Sequence, residues 1–317
     1  MAMKHKRQNK FGRVGVLMGG PSAERKISLK SGHAVYDSLK AAGFDVVAID
    51  IKTDNIAGNI RLIKSYGIKH AFIALHGHFG EDGQIQGILD ILGISYTGSG
   101  VFPSRLAMDK VASRKILQIY GLCVPRYKVL DKLGYNKHWN LHNALSFPLV
   151  VKPSTNGSSI GLSIVDKRNG LDQAIRKAFR FDEKVLIEEY IAGREVTVGI
   201  LNDKALPIIE IVPKNRFFDY EAKYHCGMTD YIVPACLSRD LAKNLQKTAL
   251  TVHKMLGCFG CSRVDIILDK YNNAYVLELN SIPGLTPTSL LPKAAKTKGI
   301  DFTQLCIELL STAYEKT

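Results

Sequence analysis

The sequence predicts an α/β protein of roughly two or three domains, beginning with a doubly wound parallel sheet. Three observations support this prediction. The chain has 317 residues, more than one ordinary core needs. Strand and helix patterns alternate over the first hundred residues, and the later segments contain strand pairs joined by polar turns.

The first domain is predicted from five segments. "RVGVLMGG", "FDVVAID" and "HAFIALHG" have the pattern of strands, and "GQIQGILDILG" that of a short helix. "ISLKSGHAVYDSLKAAG" places Ile27, Val35 and Leu39 on one helical face and stops at Gly43. Ligands bind beyond the carboxyl ends of such strands, which here lead into "GGPSAER" and "HGHFGEDG".

The segment "YTGSGVFPS", rich in Gly, Ser and Pro, and a second hinge at "IAGRE" predict boundaries that divide the chain into residues 1–103, 104–192 and 193–317. After the first boundary we expect one helix over "RLAMDKVASRKILQIYG", capped by Ser104 and stopped by Gly121. A helix near 171–180 and the strand "KVLIEEY" follow. Beyond the second boundary, strands and loops are expected to alternate up to "YVLELN", before a terminal helix over "FTQLCIELLSTAY".

The composition is that of a globular protein, with 46% hydrophobic and 23% charged residues. Lys and Arg number 43 against 29 Asp and Glu, a net charge of +14. That excess fits either a basic solvated surface or a polyanionic ligand such as a nucleotide. No apolar run approaches the roughly 18 residues of a membrane helix, and only a short apolar run follows the basic first ten residues. We therefore expect a cytoplasmic protein with no membrane partner.

The stretch "LVVKPSTNGSSIGLSIV" combines a cation, Lys152, with the small polar residues 154–159. It is neither a Walker A motif nor a dinucleotide fingerprint, because both of those lead into a helix. Here β-branched runs flank the loop on both sides, so the pattern predicts strand, loop and strand. Such a loop has the composition to hold a phosphate.

The segment "CSRVDIILDKYNNAYVLELNSIPG" predicts an acidic hairpin. If Asp269 pairs with Ala274, Asp265 lies opposite Glu278 and Arg263 lies opposite Asn280 on one face. The other face then carries only apolar residues: Val264, Ile266, Leu268, Leu277 and Leu279. Oxygen ligands of this kind suit Mg²⁺, and the arginine suits a phosphoryl group. The alternative is a surface hairpin with one ion pair.

Two further segments leave alternatives open. Cys258 and Cys261 form a Cys-x-x-Cys pair that fits zinc or redox chemistry, or simply small buried residues. "PKNRFFDYEAKYHCGMTDYIVPA" is long, basic and aromatic. It suits a substrate lid that excludes water or a loop that stacks on RNA bases, although the sequence contains no recognisable RNA-binding module.

Ten motifs occur in one order along the chain: "GGPSAERKISL", "ALHGHFGEDG", "YTGSGV", "MDK", "VVKPSTNGSSIG", "VLIEEYIAGRE", "DYEAKY", "RVDIILD", "LELNSIPG" and "TSLLP". In this order the chain, from about residue 14 onward, closely resembles the D-alanine–D-alanine ligases. The resemblance implies the ATP-grasp fold, in which two α+β domains sandwich ATP behind an N-terminal α/β domain. It also implies a cytoplasmic enzyme of peptidoglycan synthesis and a homodimer, without a nucleic-acid partner.

By this resemblance, Lys152 and Lys110 contact the ATP phosphates while the loop over 154–159 closes on them. Glu188 and the backbone from Glu189 to Ile191 hold adenine. The full implied ATP site is Lys110, Lys152, Ser154, Ser159, Glu188, Glu189, Ile191, Glu195 and Lys223. Asp265, Glu278 and Asn280 are implied to bind Mg²⁺ or Mn²⁺, as two ions.

The implied reaction joins two D-alanines through an acyl phosphate. Glu24 receives the first ammonium group and closes the lids with Ser158 and Tyr224, while Arg263 and the Gly284 N–H stabilise the transferred group. The remaining implied substrate residues are His76, Lys223, Ser289 and Leu290.

Two positions depart from the pattern of the family. Lys26 stands where many relatives carry an acid, and Phe218 stands where Tyr is frequent. By the resemblance, a tyrosine at the position of Tyr224 implies D-alanine as second substrate. The alternatives are a ligase that uses D-lactate or D-serine, or a non-catalytic nucleotide- or RNA-binding protein.

Overall fold

The structure, a computed structural model, describes residues 11–135, 145–214 and 227–315. Three sheets with flanking helices make up these ranges. Within them, no helix combines the length and apolar character needed to cross a bilayer.

The first sheet is parallel, with strand order β2-β1-β3-β4, as the alternating pattern predicts. Its strands are β1 (Val14–Gly19), β2 (Val46–Ile51), β3 (His70–Ile73) and β4 (Ser95–Tyr96). The helices between them are α1 (Arg25–Ala41), α2 (Ile56–Ser65) and α3 (Gln84–Leu92). Val35 and Leu39 of α1 are fully buried as predicted, and Gly43 follows the helix with a φ of +89°. Ile27 instead lines a cavity.

The second sheet is antiparallel, with order β5-β8-β6-β7. Its strands are β5 (Tyr127–Asp131), β6 (Leu149–Pro153), β7 (Ser163–Val165) and β8 (Lys184–Glu189), and helix α6 (Leu171–Ala178) packs against β6. Strands β6 and β7 pair on either side of the loop at 154–162, which confirms the predicted strand–loop–strand.

The third sheet is antiparallel, with order β12-β11-β9-β13-β14 and a short β10 beside β9. Its strands are β9 (Arg194–Leu201), β10 (Lys204–Ala205), β11 (Ile209–Pro213), β12 (Thr229–Ile232), β13 (Cys261–Leu268) and β14 (Ala274–Asn280). The last helices are α8 (Leu290–Thr297) and α9 (Phe302–Glu315). Residues of α8 and α9 share one apolar core with β1 and α1, so the third sheet is fixed against the first.

The predicted single helix after residue 103 is wrong. Two helices occupy the segment, α4 (Val101–Met108) and α5 (Lys110–Ile119). Asp109 separates them because its carboxylate accepts hydrogen bonds from the N–H groups of Val111 and Ala112, as an N-cap does. Ser104 lies inside α4 and does not cap it. Gly121, with a φ of +73°, follows the end of α5 as predicted.

The prediction that only strands and loops fill residues 193–280 is also wrong. Helix α7 (Arg239–Met255) lies between β12 and β13, capped by the side chain of Ser238. Leu245, Ala249 and Val252 recur at helical spacing and are buried beneath the third sheet.

Cys258 and Cys261 are both buried, and they belong to two different apolar clusters. Burial raises the pKa of the Cys258 thiol to about 11, which is the opposite of the shift that makes a thiolate reactive. These cysteines therefore have the surroundings of small core residues.

Candidate active site

The first cavity lies between the second and third sheets. Val150, Lys152 and Glu188 contribute from the second sheet, and Asp265 and Glu278 from the third. Its remaining lining includes Lys110, Asn156, Ser159, Ile164, Glu189, Ile191, Glu195, Ile267 and Leu277. The cavity thus combines cations and carboxylates with apolar walls, a composition that suits a flat heterocycle bearing phosphates.

Lys152 and Glu188 form a buried ion pair in this cavity, with Nζ 2.8 Å from Oε1. Arg114 contacts the other carboxylate oxygen, Oε2. Burial lowers the pKa of Lys152 to about 8, although Glu188 opposes the shift. Burial would raise the pKa of Glu188, but the charges of Arg114 and Lys152 outweigh it and hold that pKa below its usual range. Glu188 is therefore an ionised anchor for the lysine.

Lys110 crosses from α5 to both walls of the first cavity. Its ammonium group donates to the backbone oxygen of Asn156 at 2.8 Å and lies 3.3 Å from Oε2 of Glu278. The side chain is buried. A single lysine thus contacts both the polar loop over residues 154–159 and the acidic hairpin.

The acidic hairpin has the predicted pairing where it matters for the site, with Arg263 opposite Asn280 and Asp265 opposite Glu278. A β-bulge then shifts the register, so that Leu268, and not Asp269, pairs with Ala274. Leu277 has no partner in the register and lines the first cavity with Ile267. The predicted apolar face is therefore wrong for Leu277, and buried Val276 takes its place in the core.

The carboxylate of Asp265 is surrounded by donors. Arg263 donates a hydrogen bond of 2.9 Å to each of the two Asp265 oxygens. The Thr197 hydroxyl donates to Oδ1 of Asp265 at 2.6 Å, and the Asn280 amide donates to Oδ2 at 3.1 Å. Two carboxylates and an amide on one face form an oxygen-rich donor set of the type that Mg²⁺ takes. The residues at this position fit a divalent cation, with Arg263 as the countercharge that holds Asp265 in its place.

A second cavity opens farther along the same face of the hairpin, where Arg263, Glu278 and Asn280 line it. Ser158 closes it, because its hydroxyl donates to Oε2 of Glu24 at 2.6 Å, joining the loop of the second sheet to the start of α1. Both Ser158 and Ser159 adopt left-handed backbone, with φ of 52° and 58°. A Cβ on Gly157 would lie 2.9 Å from Oε1 of Glu24, so a larger residue there would require the Glu24 side chain to shift.

His76 lies at the floor of the second cavity and is 3% exposed. Its Nε2 is 3.0 Å from the Ser31 hydroxyl, and its Nδ1 is 3.4 Å from the Glu81 carboxylate. Burial raises the pKa of Glu81, against the hydrogen bond from His76, and the negative charge of Glu24 adds to the rise. Both ring nitrogens of His76 are thus engaged beside Glu24.

Gly284, Ser289 and Leu290 meet at the far wall of the second cavity. Ser289 precedes the first turn of α8, and its hydroxyl lies 2.7 Å from that of Thr286. The N-terminus of α8 therefore opens toward the second cavity, where its partial positive charge favours a carboxylate.

Other predicted residues are placed less directly. Ser154 is 1% exposed and lines neither cavity, since its hydroxyl donates to Asp109 at 3.1 Å. At the predicted adenine edge, the N–H groups of Glu189 and Tyr190 already donate to the Arg126 and Pro148 carbonyls. Glu195 and Ile191 do line the first cavity. Lys223, Tyr224 and Phe218 lie outside the described residues.

Sequence reasoning missed three side chains that support the site: Arg114 behind Glu188, Thr197 beside Asp265, and Glu81 beside His76. Glu81 lies within the "HGHFGEDG" loop, so its position beyond strand β3 was a usable signal. Arg114 and Thr197 carry no local signal, because each acts on a residue distant in sequence.

Family models match nearly the whole chain. The model described as "D-ala D-ala ligase C-terminus" matches residues 116–311, and "D-ala D-ala ligase N-terminus" matches 13–59 and 56–99. The chain belongs to the D-alanine–D-alanine ligase family. Among curated relatives, the D-alanine–D-alanine ligase of Geotalea uraniireducens (strain Rf4) is 48% identical over 301 residues, 95% of each chain. That of Pelotomaculum thermopropionicum is 45% identical over 312 residues, 96% of this chain and 97% of the relative.

Solved structures of family members have the same fold. A D-alanine–D-alanine ligase from Bacillus anthracis complexed with ATP has a TM-score of 0.84 at 34% identity, covering 96% of this chain and 98% of the other. The VanG D-Ala:D-Ser ligase from Enterococcus faecalis has a TM-score of 0.79 at 30% identity, covering 95% and 99%. The parallel first sheet and the two antiparallel sheets of this family member agree with the ATP-grasp fold expected from its motifs.

Proposed function

We propose that this chain uses ATP to join two D-alanine molecules into D-alanyl-D-alanine for peptidoglycan synthesis, releasing ADP and phosphate. The observation that carries the proposal is the shared wall of the two cavities. Glu278 lines the first cavity, with its lysines, and the second, with Glu24 and His76. A nucleotide phosphate and an amino-acid carboxylate can therefore meet at one place. The names of the curated relatives supply the substrate.

In the proposed reaction, ATP occupies the first cavity. Lys110 and Lys152 neutralise its phosphates beneath the loop that contains Ser159, and Glu195 binds the ribose. Asp265, Glu278 and Asn280 would hold Mg²⁺ or Mn²⁺, which supplies positive charge at the phosphate oxygens when bound. Phosphoryl transfer needs chiefly this positioning and charge neutralisation.

The first D-alanine binds in the second cavity, where Glu24 receives its ammonium group and His76 lies near its carboxylate. That carboxylate attacks the γ-phosphate and becomes an acyl phosphate, which gives a poor electrophile a leaving group. Arg263 and the Gly284 N–H stabilise the charge that develops on oxygen. The contact between Ser158 and Glu24 excludes water from the acyl phosphate.

The second D-alanine binds beside the N-terminus of α8, with its carboxylate on Ser289 and the Leu290 N–H. Its amine displaces phosphate through a tetrahedral intermediate. Lys223 and Tyr224 complete this subsite in the proposal, on motif position alone.

The test is phosphate release from ATP and Mg²⁺ with D-alanine, L-alanine or no amino acid, followed by mass analysis of the product. Release only with D-alanine, together with a dipeptide mass, is the expected result. Adding D-serine or D-lactate beside D-alanine tests the alternative second substrates, because each gives a distinct product mass. Absence of release with every substrate contradicts the proposed function.

Omitting the divalent cation tests the metal site, and light scattering tests the proposed homodimer. Loss of phosphate release on chelation, with recovery on adding Mg²⁺ or Mn²⁺, is the expected result for the cation.

The three-domain division at 103/104 and 192/193 and a cytoplasmic location remain part of the same proposal.

A further inference from the structure

A buried arginine lies behind the first cavity. Arg114, on α5, is 1% exposed and does not line the cavity. One end of its guanidinium contacts Glu188 on β8, and Nη2 donates to the backbone oxygen of Leu277 on β14 at 3.2 Å. Its guanidinium carbon also lies 5.6 Å from the centre of the Tyr127 ring. One side chain therefore connects the two sheets that enclose the cavity.

The charges around Glu188 are not balanced in pairs. Its Oε1 is 2.8 Å from the Lys152 ammonium, and its Oε2 contacts Arg114. Two cations and one carboxylate leave one net positive charge, and of the two cations only Lys152 reaches the cavity. Without Arg114, Lys152 and Glu188 would form a neutral buried pair. Glu188 would then have no second cation, so a phosphate that enters the cavity would have to compete with Glu188 for the Lys152 ammonium group.

The second contact of Arg114 acts on the hairpin. Leu277 is the extra residue of the β-bulge and has no partner in the β13–β14 register. The carbonyl of Leu277 is partly buried, and Arg114 supplies a donor for it at a position without a partner in the register. Leu277 directly precedes Glu278, so this hydrogen bond fixes the backbone from which Glu278 projects.

We propose that Arg114 is a positioning residue for nucleotide binding: through Glu188 it leaves Lys152 available to phosphate, and through Leu277 it fixes the strand that carries Glu278. This inference rests on the proposed function and deepens it. Arg114 itself touches no substrate in the proposal, since it lies behind Glu188.

The test compares Arg114→Met and Arg114→Lys with the wild type and with a matched control, Arg176→Met. Arg176 lies on α6, its side chain is 57% exposed, and it lines neither of the two cavities, so it is a matched control for the loss of an arginine. The KM for ATP, the KM for D-alanine and kcat are measured for each protein. Calorimetric binding of ATP alone and the thermal midpoint are measured in parallel.

Arg114→Met is expected to raise the KM for ATP by at least about tenfold. This factor corresponds to a change of one pKa unit in the interaction of a charged group with its surroundings. The KM for D-alanine should stay near that of the wild type. Arg114→Lys keeps a cation beside Glu188 and should stay within about threefold for ATP, the cost of one lost neutral hydrogen bond. A purely structural role would not separate the two KM values, nor would lysine rescue ATP binding selectively.

A folded Arg114→Met protein with the wild-type KM for ATP overturns the inference, and so does an equal rise in both KM values. If Arg114→Met does not fold, Arg114→Lys decides: a tenfold rise in its KM for ATP overturns the role of the charge, and retention within threefold supports it. Failure of the proposed function looks different. The wild type would then release no phosphate with D-alanine, while calorimetry with ATP alone would still compare the Arg114 variants.

Discussion

The contact between Ser158 and Glu24 permits the sharpest prediction about closure of the site. The hydroxyl donates to the carboxylate at 2.6 Å across two different domains of the predicted division. Ser158→Ala removes the hydroxyl and keeps the left-handed backbone, whose φ is 52°. Ser158→Gly removes the same hydroxyl and relaxes that backbone. The pair of variants separates the hydrogen bond from the conformational strain.

The structure sets the size of both effects. A hydrogen bond to a charged group contributes about 1.5–3 kcal/mol, so its loss should lower kcat/KM for D-alanine by roughly 10- to 150-fold. Left-handed backbone costs a non-glycine residue about 1–2 kcal/mol. Ser158→Gly should therefore be at least as stable as Ser158→Ala and equally impaired in catalysis.

The assay is phosphate release with D-alanine varied at saturating ATP, and then with ATP varied. Ser163→Ala is the control, because Ser163 lies on β7 and lines neither of the two cavities. Ser158→Ala activity within twofold of the wild type would refute the closure argument. Wild-type activity in Ser158→Gly would show that the hydroxyl is not required for closure.

Three further predictions follow from the site and the fold. Glu278→Ala should lower turnover at least about a hundredfold, since a cation at the phosphates supplies several kcal/mol; Glu183→Ala, at an exposed ion pair, should not. Because the pKa of Lys152 is lowered to about 8, its cation is present below that pH and lost above it. The KM for ATP should therefore be constant below pH 8 and rise above it, up to roughly tenfold per pH unit. Gly193→Ala would place a Cβ 1.9 Å from a backbone oxygen of β13, so it should destabilise the protein by about 1–3 kcal/mol or more, whereas Gly134→Ala meets nothing within 4 Å.

Each of these predictions has a decisive contrary result. Normal turnover in Glu278→Ala removes the hairpin from the metal site. A KM for ATP that does not change up to pH 9.5, or an alkaline rise that persists in Lys152→Arg, removes Lys152 from the pH effect. Equal thermal midpoints for the two glycine variants contradict the close approach at Gly193.

The sequence predicts this site best where side chains alternate strictly. The polar face of the acidic hairpin identifies the pairing of Asp265 with Glu278, because two-residue periodicity links neighbours on one strand. The bulge at Leu277 is not predictable in the same way. An apolar residue that faces a cavity has the same sequence pattern as an apolar residue that faces the core, and only the tertiary structure distinguishes the two.

The missed helices have different causes. Asp109 was an available signal, since aspartate is a strong N-cap, but the apolar pattern continues on both sides of it and suggested one helix. Helix α7 is also predictable from the sequence, because Ser238 is an N-cap residue and Leu245, Ala249 and Val252 recur at helical spacing. The contact of Arg114 with Glu188 has no such signal, because distant segments become neighbours only when the second and third sheets face each other.

The position of Glu278 on the wall of both cavities has a consequence for inhibitor design. A compound that joins a nucleotide to an acyl group would span both cavities. Its affinity would increase because, once one half is bound, the other half is present at a high effective concentration. Its linker would have to pass a carboxylate. A neutral linker would pass Glu278 at a lower electrostatic cost than an acidic linker, so this one residue sets the chemistry of the middle of the compound.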